Sequence, residues 1–243
     1  MIKELVIISG KGGTGKTSVA SSFAYLAENK VMADCDVDAA DMHLILDPVV
    51  VSDKGFEGGR KAYIDHKKCT GCGECVRLCR FGAVRDDYII NTLSCEGCGV
   101  CARFCPEKAI EMRPWESGRW FVSDTAYGPF VHARLGMAEG NSGKLVTIIR
   151  RKAKEIAEER KCNLVITDGS PGTGCPVIAS VTGASFLLVV TEPTVSGVHD
   201  MKRALELAGH FRIKSAVCVN RADINMQITR EIEKICSDGS IMF

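Results

Sequence analysis

Eight of the thirteen cysteines fall into two runs of one spacing. These are Cys69-x2-Cys72-x2-Cys75-x3-Cys79 and Cys95-x2-Cys98-x2-Cys101-x3-Cys105, the second followed by Pro106. Three thiolates at that spacing wrap one face of an iron–sulfur cubane, and the local loop cannot close around all four irons, so a fourth ligand must come from afar. Paired C-x2-C spacings also hold structural zinc, but a zinc ribbon rarely repeats C-x2-C-x2-C-x3-C twice. Gly71, Gly73, Gly97 and Gly99 stand between the ligands, where their backbone amides are free to approach cluster sulfides and tune potential.

A second chemistry is written near the N-terminus. Gly10-Lys11-Gly12-Gly13-Thr14-Gly15-Lys16-Thr17 fits G-x-x-x-x-G-K-[ST], between an apolar run and a helical stretch. The glycines let successive N–H groups turn toward a polyphosphate, and the helix N-terminus adds positive potential there. Lys16 is placed to reach the β- and γ-phosphates of ATP, and the Thr17 hydroxyl to ligate Mg²⁺. Residues 164–168, Leu-Val-Ile-Thr-Asp, form an apolar strand ending in an acid, so Asp168 is a further Mg²⁺ ligand, direct or through water. Residues 169–174, Gly-Ser-Pro-Gly-Thr-Gly, then make a loop whose glycines permit two conformations; Gly172 is its candidate phosphate-sensing amide.

Strands predicted at 5–9, 31–33, 164–167, 186–191 and 216–219 alternate with helices at 16–28, 144–160, 197–211 and 225–235. That alternation predicts an α/β fold with a mostly parallel, doubly wound sheet built from right-handed crossovers. Between its halves, composition shifts abruptly to dense Cys and Gly. We place an inserted α+β domain at 62–113, leaving 1–61 and 114–243 as one discontinuous nucleotide-binding domain. The insert carries an internal repeat, residues 69–84 superimposing on 95–110 at a spacing of 26.

A hydrophobic fraction of 46% and a net charge of +1 are those of an ordinary globular chain, with no basic field to attract nucleic acid. No apolar run reaches membrane-spanning length and no signal pattern opens the chain. We therefore expect a cytoplasmic protein with no nucleic-acid or membrane partner, its cysteines serving as metal ligands rather than disulfides. The final residues, Ile241-Met242-Phe243, read as the opening of another strand, so a C-terminal continuation is expected.

Lys11 makes the phosphate loop G-K-G-G-T-G-K-T, which resembles the deviant Walker A motif of the MinD, ParA, Mrp and nitrogenase iron protein superfamily. With the double cysteine run included, essentially the whole chain resembles MinD-superfamily ATPases containing an inserted ferredoxin domain. The resemblance implies ATP binding, slow hydrolysis and a nucleotide-dependent homodimer in which Lys11 reaches the partner's phosphates. It implies that residues 34–38, Asp-Cys-Asp-Val-Asp, are switch I. Ungapped alignment on the iron protein's C-D-P-K-A-D-S pattern puts Asp36 at the water-orienting position, with Asp38 as second choice; for Asp38 and Asp41, helix capping is an alternative of equal weight. Residues 169–174 become switch II, and Asn220 stands where related ATPases present an asparagine to adenine.

By the rule for two-cluster ferredoxins, the fourth cysteine of each run serves the other cluster. Cluster one is then held by Cys69, Cys72, Cys75 and Cys105, and cluster two by Cys95, Cys98, Cys101 and Cys79. The first run departs from the ferredoxin pattern, with Arg80 where proline stands. Of the remaining cysteines, Cys162, Cys218 and Cys236 read as buried packing residues; Cys175, after switch II, reads as a buried helix-start residue or a nucleotide-sensing metal ligand. Three functions follow: an ATPase whose nucleotide state gates two 4Fe-4S clusters for electron transfer to a redox partner, a cluster carrier serving an apo-protein acceptor, and a MinD- or ParA-like spatial organiser.

Overall fold

A computed structural model describes residues 2–137, 139–140 and 142–243. The chain opens with β1 (Lys3–Ser9), α1 (Lys16–Leu26), β2 (Lys30–Asp34), α2 (Met42–Leu46) and the long strand β3 (Val49–Ile64). Two single-turn helices follow, α3 (Glu74–Leu78) and α4 (Val100–Phe104), then β4 (Ile110–Thr125) and β5 (Gly128–Leu135). The remainder is α5 (Ser142–Glu159), β6 (Leu164–Pro171), α6 (Cys175–Val181), β7 (Phe186–Thr191), α7 (Val195–His210), β8 (Ser215–Val219) and α8 (Met226–Asp238).

These elements form two compact units. The first comprises Met1–Lys54, Trp120–Arg134 and Ser142–Phe243; the second comprises Gly55–Arg119 and Leu135–Asn141. The eight-stranded sheet has the order β3-β4-β5-β2-β6-β1-β7-β8, and β5, β2, β6, β1, β7 and β8 pair in parallel. The two expectations of strand–helix alternation and a mostly parallel sheet are met.

Period-2 alternation assigns the faces of β1. Val6 and Ile8 pack with Val177, Leu187 and Met201 on the side of α6, α7 and α8, whereas Ile7 packs with Ala20, Met32 and Met42 on the side of α1 and α2. Every residue of β2 is buried, as a central strand covered on both faces requires. Helix α5 buries Leu145, Val146, Ile149, Ala153, Ile156 and Ala157, a stripe at helical spacing. Its Arg150 grips buried Glu4 of β1 through two hydrogen bonds of 2.7 Å and donates to the carbonyls of Ala179 and Thr182. This buried guanidinium, making four hydrogen bonds, fixes α6; β6 runs on through Pro171, so of the expected loop 169–174 only 172–174 lie outside strand, directly before α6.

The last residues, expected to open a further strand, form one isolated bridge outside the named strands, Met242 with Ala216 in parallel. Asn141, first residue of the segment Asn-Ser-Gly-Lys, lies outside the described residues. Among the described residues no helix is long and apolar enough to cross a membrane.

In the second unit the 26-residue repeat becomes structural. Helices α3 and α4 stand 26 residues apart, as do the left-handed glycine pairs Gly71 (φ 72°) with Gly97 (φ 67°) and Gly73 (φ 79°) with Gly99 (φ 75°). Asp65 and Asn91 each accept from the backbone N–H two residues on, the same turn made twice.

Candidate functional site

The phosphate loop lies between β1 and α1, and its end is a left-handed Gly15 (φ 86°). A Cβ at Gly15 would run into the Asn220 amide, and one at Gly10 into Cβ and the backbone of Asp200, so close approach by itself calls for glycine at both positions. Lys16 does not project into solvent. Its Nζ donates to Asp168 Oδ1 at 2.7 Å and lies 3.1 Å from Asp36 Oδ2 and 3.5 Å from the Thr17 hydroxyl. Burial alone would lower the Lys16 ammonium, but Asp168 and Asp36 outweigh it and raise it above 10.5.

Strand register adds an acid that the motif reading left without a role. Asp34 ends β2 opposite Asp168, which lies near the end of β6. Asp34 is fully buried; its Oδ1 accepts from the Asp36 N–H at 3.0 Å, while its Oδ2, the Asp168 Oδ2 and the Thr14 Oγ1 have no partner. Burial first, then the neighbouring Asp168 charge, hold the Asp34 carboxyl well above its ordinary 3.8; burial likewise raises Asp36 and Asp168 despite Lys16. Three carboxylates face one ammonium, with unpaired buried oxygens among them. That donor set fits a hard divalent cation such as Mg²⁺. Asp34 was legible: it ends an apolar strand on an acid by the same rule that singled out Asp168.

A carboxyl whose folded pKa is raised stabilises the fold below its unfolded value and loses that contribution as pH rises through the folded one. The nucleotide-free protein is therefore expected to lose stability from these groups between mildly acidic and neutral pH. Asp34→Asn, which keeps the acceptor for Asp36 N–H, is expected to raise Tm at pH 7.5 by about 2–6 °C and to flatten that pH dependence. Anaerobic calorimetry across pH 5–8 checks it, and an unchanged or lowered Tm would count against the buried charge.

The switch segments are tied to this group by backbone. Cys35 N–H donates to Asp168 O, Ser170 Oγ to Cys35 O, and Gly172 N–H (φ 89°) to Ser9 O, each at 2.8 Å. Arg203 of α7 donates to Thr173 Oγ1 at 3.0 Å. Asp38 is exposed and lies outside the Lys16 group; its charge reaches Asp36 only as a like charge. Asn220 donates to the Thr14 carbonyl at 2.9 Å, so in this state it closes on the phosphate loop. Lys11 is engaged as well, 3.2 Å from Ser196 Oγ and 3.7 Å from Glu192 Oε2. Cys175 does start a helix, α6, but is exposed rather than buried, and Cys162 and Cys218 are only partly buried; Cys236 is buried.

The eight run cysteines separate into two groups by cavity. Cys79, Cys95, Cys98 and Cys101 line one cavity, and Cys69, Cys72, Cys75 and Cys105 line a second, narrower one. Each cavity thus takes three cysteines from one run and the fourth from the other, the crossed arrangement expected of two clusters. Backbone N–H groups of Ala83 and Ala109 donate to Cys79 Sγ and Cys105 Sγ at 3.3 Å; at Cys79 burial is outweighed by the backbone N–H groups, which lower the thiol. The donor sets fit 4Fe-4S clusters. Arg80, in the proline position, lies with its guanidinium 4.8 Å from the Phe81 ring and leaves the ligand positions undisturbed.

Comparison with known proteins agrees with both halves. The family model described as a 4Fe-4S binding domain matches residues 62–85 and 88–111, one copy per cysteine run. The MinD cell division protein of Aquifex aeolicus superposes with a TM-score of 0.52 at 17% identity over 99% of this chain and 80% of its own. The cell division ATPase MinD of Pyrococcus furiosus gives 0.52 at 14% over 96% and 80%, and a ParA family ATPase of Chlorobium tepidum gives 0.51 at 16% over 98% and 82%. The fold is that of the MinD/ParA P-loop ATPases, with a ferredoxin-type 4Fe-4S domain inserted. More particularly, the uncharacterized protein MJ0578 of Methanocaldococcus jannaschii is 37% identical over 230 residues, 93% of this chain and 80% of its own. The chain belongs to the same family, and MJ0579 of that organism is 26% identical over 92% of this chain and 83% of its own.

Proposed function

We propose that this chain hydrolyses ATP and that its nucleotide state gates two 4Fe-4S clusters, which pass electrons from a low-potential donor to a partner protein. The observation that carries the reading is the pair of complete, crossed cysteine sets in a chain whose nucleotide unit gathers Lys16, Asp36 and Asp168. Full sets of four thiols support clusters that are retained. Continuity of the chain supports coupling: segment 34–41 leads through α2 into β3, which runs unbroken from residue 49 into the cysteine-bearing unit, and β4 returns from it.

In this reading the amides of Gly10, Gly12, Gly13, Thr14 and Gly15 and the Lys16 ammonium hold the phosphates of ATP or ADP. Thr17 and Asp168 would hold Mg²⁺, which would supply neutralisation of the phosphate charge when bound. Asp36, whose carboxyl burial raises above its ordinary value and whose Oδ2 lies 3.1 Å from Lys16 Nζ, is suited to orient the attacking water and accept its proton. Gly172 offers an amide to the γ-phosphate, Asn220 moves from Thr14 to the base, and Lys11 acts across a homodimer. Asp38 has a weaker claim, being exposed. The exposed Cys175 favours one second reading, a cluster carrier handing iron to an apo-protein; failure of labelled iron to reach any acceptor removes it.

Coupling is reciprocal. Anaerobically reconstituted protein is expected to bind Mg·ATP with different affinity when oxidised and when dithionite-reduced, by a factor of about 5 or more. Equal affinities would contradict the proposal, as would no binding at all.

A further inference from the structure

Both lysines of the phosphate loop are committed to carboxylates in this state, but in different ways. The Asp36 and Asp168 carboxylates around Lys16 belong to the nucleotide and cation site. Glu192, which follows β7, belongs to no part of it. Its side chain is 15% exposed, with Oε1 accepting from Arg221 Nη1 at 2.6 Å and Oε2 lying 3.7 Å from Lys11 Nζ. Lys11 also donates to Ser196 Oγ at 3.2 Å.

We infer that Glu192 is a latch: it docks Lys11 on its own subunit, and nucleotide-driven association must release it. The inference rests on the homodimer reading above, in which Lys11 acts on the partner.

Three features make the contact suited to that task. The two carboxylate oxygens are divided between two cations, so when Lys11 leaves, Arg221 still neutralises Glu192 and no buried charge is orphaned. The Lys11 pair is the longer and more exposed, with Lys11 35% accessible, which makes it the one that yields. Arg221 is itself coupled to the loop. It adopts a left-handed backbone (φ 55°) directly after Asn220, whose amide donates to Thr14 O and whose N–H donates to Thr191 O. Movement of Asn220 away from Thr14 therefore acts on the residue that anchors Glu192. Both ends of the phosphate loop, Lys11 and Thr14, are held by the two short segments that close β7 and β8.

Sedimentation velocity of the full, cluster-reconstituted chain titrated with Mg·ATPγS tests the latch. Glu192→Gln is expected to associate at about two- to fivefold lower nucleotide concentration than wild type, the scale of a partly exposed ion pair. Arg221→Ala, which leaves Glu192 wholly to Lys11, is expected to shift association the other way, and this opposite sign decides the matter if the glutamine variant fails to fold. If wild type associates but Glu192→Gln needs the same or more nucleotide, the latch is overturned and the homodimer reading stands. If wild type remains monomeric at saturating Mg·ATPγS, the homodimer reading fails and the latch falls with it.

Discussion

Lys16→Ala is expected to reduce ATP hydrolysis by at least about a hundredfold and to destabilise the nucleotide-free fold by about 3–5 kcal/mol. The two losses have one origin. Among the described residues Lys16 is the cation paired with these buried acids, with Asp168 at 2.7 Å, Asp36 at 3.1 Å and Asp34 behind them. Removing it takes away the phosphate-binding charge and leaves carboxylates that neither water nor protein neutralises. Burial already raises all three, so the alanine variant should be more sensitive than wild type to a rise from pH 5 to pH 8. The double variant Lys16→Ala/Asp34→Asn should regain part of the stability and none of the hydrolysis. Calorimetry and phosphate release on the same preparations separate the two effects; full stability in the single variant would contradict the charge arrangement.

The second large effect concerns the crossed ligands. Cys79→Ala should lower the iron content of reconstituted protein from about eight to about four atoms per chain. Pairs of substitutions reveal which cysteines share a cluster. Cys79→Ala with Cys98→Ala, two residues of one cavity, should lose no more iron than either alone, about four atoms. Cys79→Ala with Cys72→Ala, one from each cavity, should leave about none. Were each run to serve its own cluster, the two outcomes would exchange. Anaerobic iron and sulfide analysis with EPR of the reduced proteins reads the result, and an exchanged pattern would reject the assignment.

The parts legible in the sequence are those whose chemistry is local. Residues 10–17 announce themselves because strand, glycine turn and lysine are contiguous, and the cysteine runs because ligand spacing is set by the cluster they surround. The parallel strands β1, β2, β6, β7 and β8 were readable as short apolar runs bounded by polar turns. β3 and β4 were not. Each runs for 16 residues, but β3 mixes Gly, Lys and Glu and β4 contains Pro114 and Gly118, so neither carries a sustained alternation. β3 and β4 are neighbours in the sheet although the whole cysteine-bearing segment separates them in the chain, and a pairing of that kind leaves little local trace. The acid Asp34 was within sight yet unassigned, because what makes it functional is its register beside Asp168 on another strand. The partners of Lys11 were beyond reach for the same reason: Glu192 lies 181 positions away, and only the crossover through β7 brings them together.

The central claim, that nucleotide state and cluster chemistry are coupled, is tested most directly by the cluster reduction potentials. Anaerobically reconstituted protein is titrated by EPR-monitored redox potentiometry alone, with Mg·ADP and with Mg·ATPγS, nucleotide occupancy being verified in each sample. The account predicts that at least one 4Fe-4S signal moves with Mg·ATPγS, where a displacement of about 59 mV corresponds to a tenfold change in the one-electron equilibrium. Superimposable titration curves at full nucleotide occupancy would contradict it.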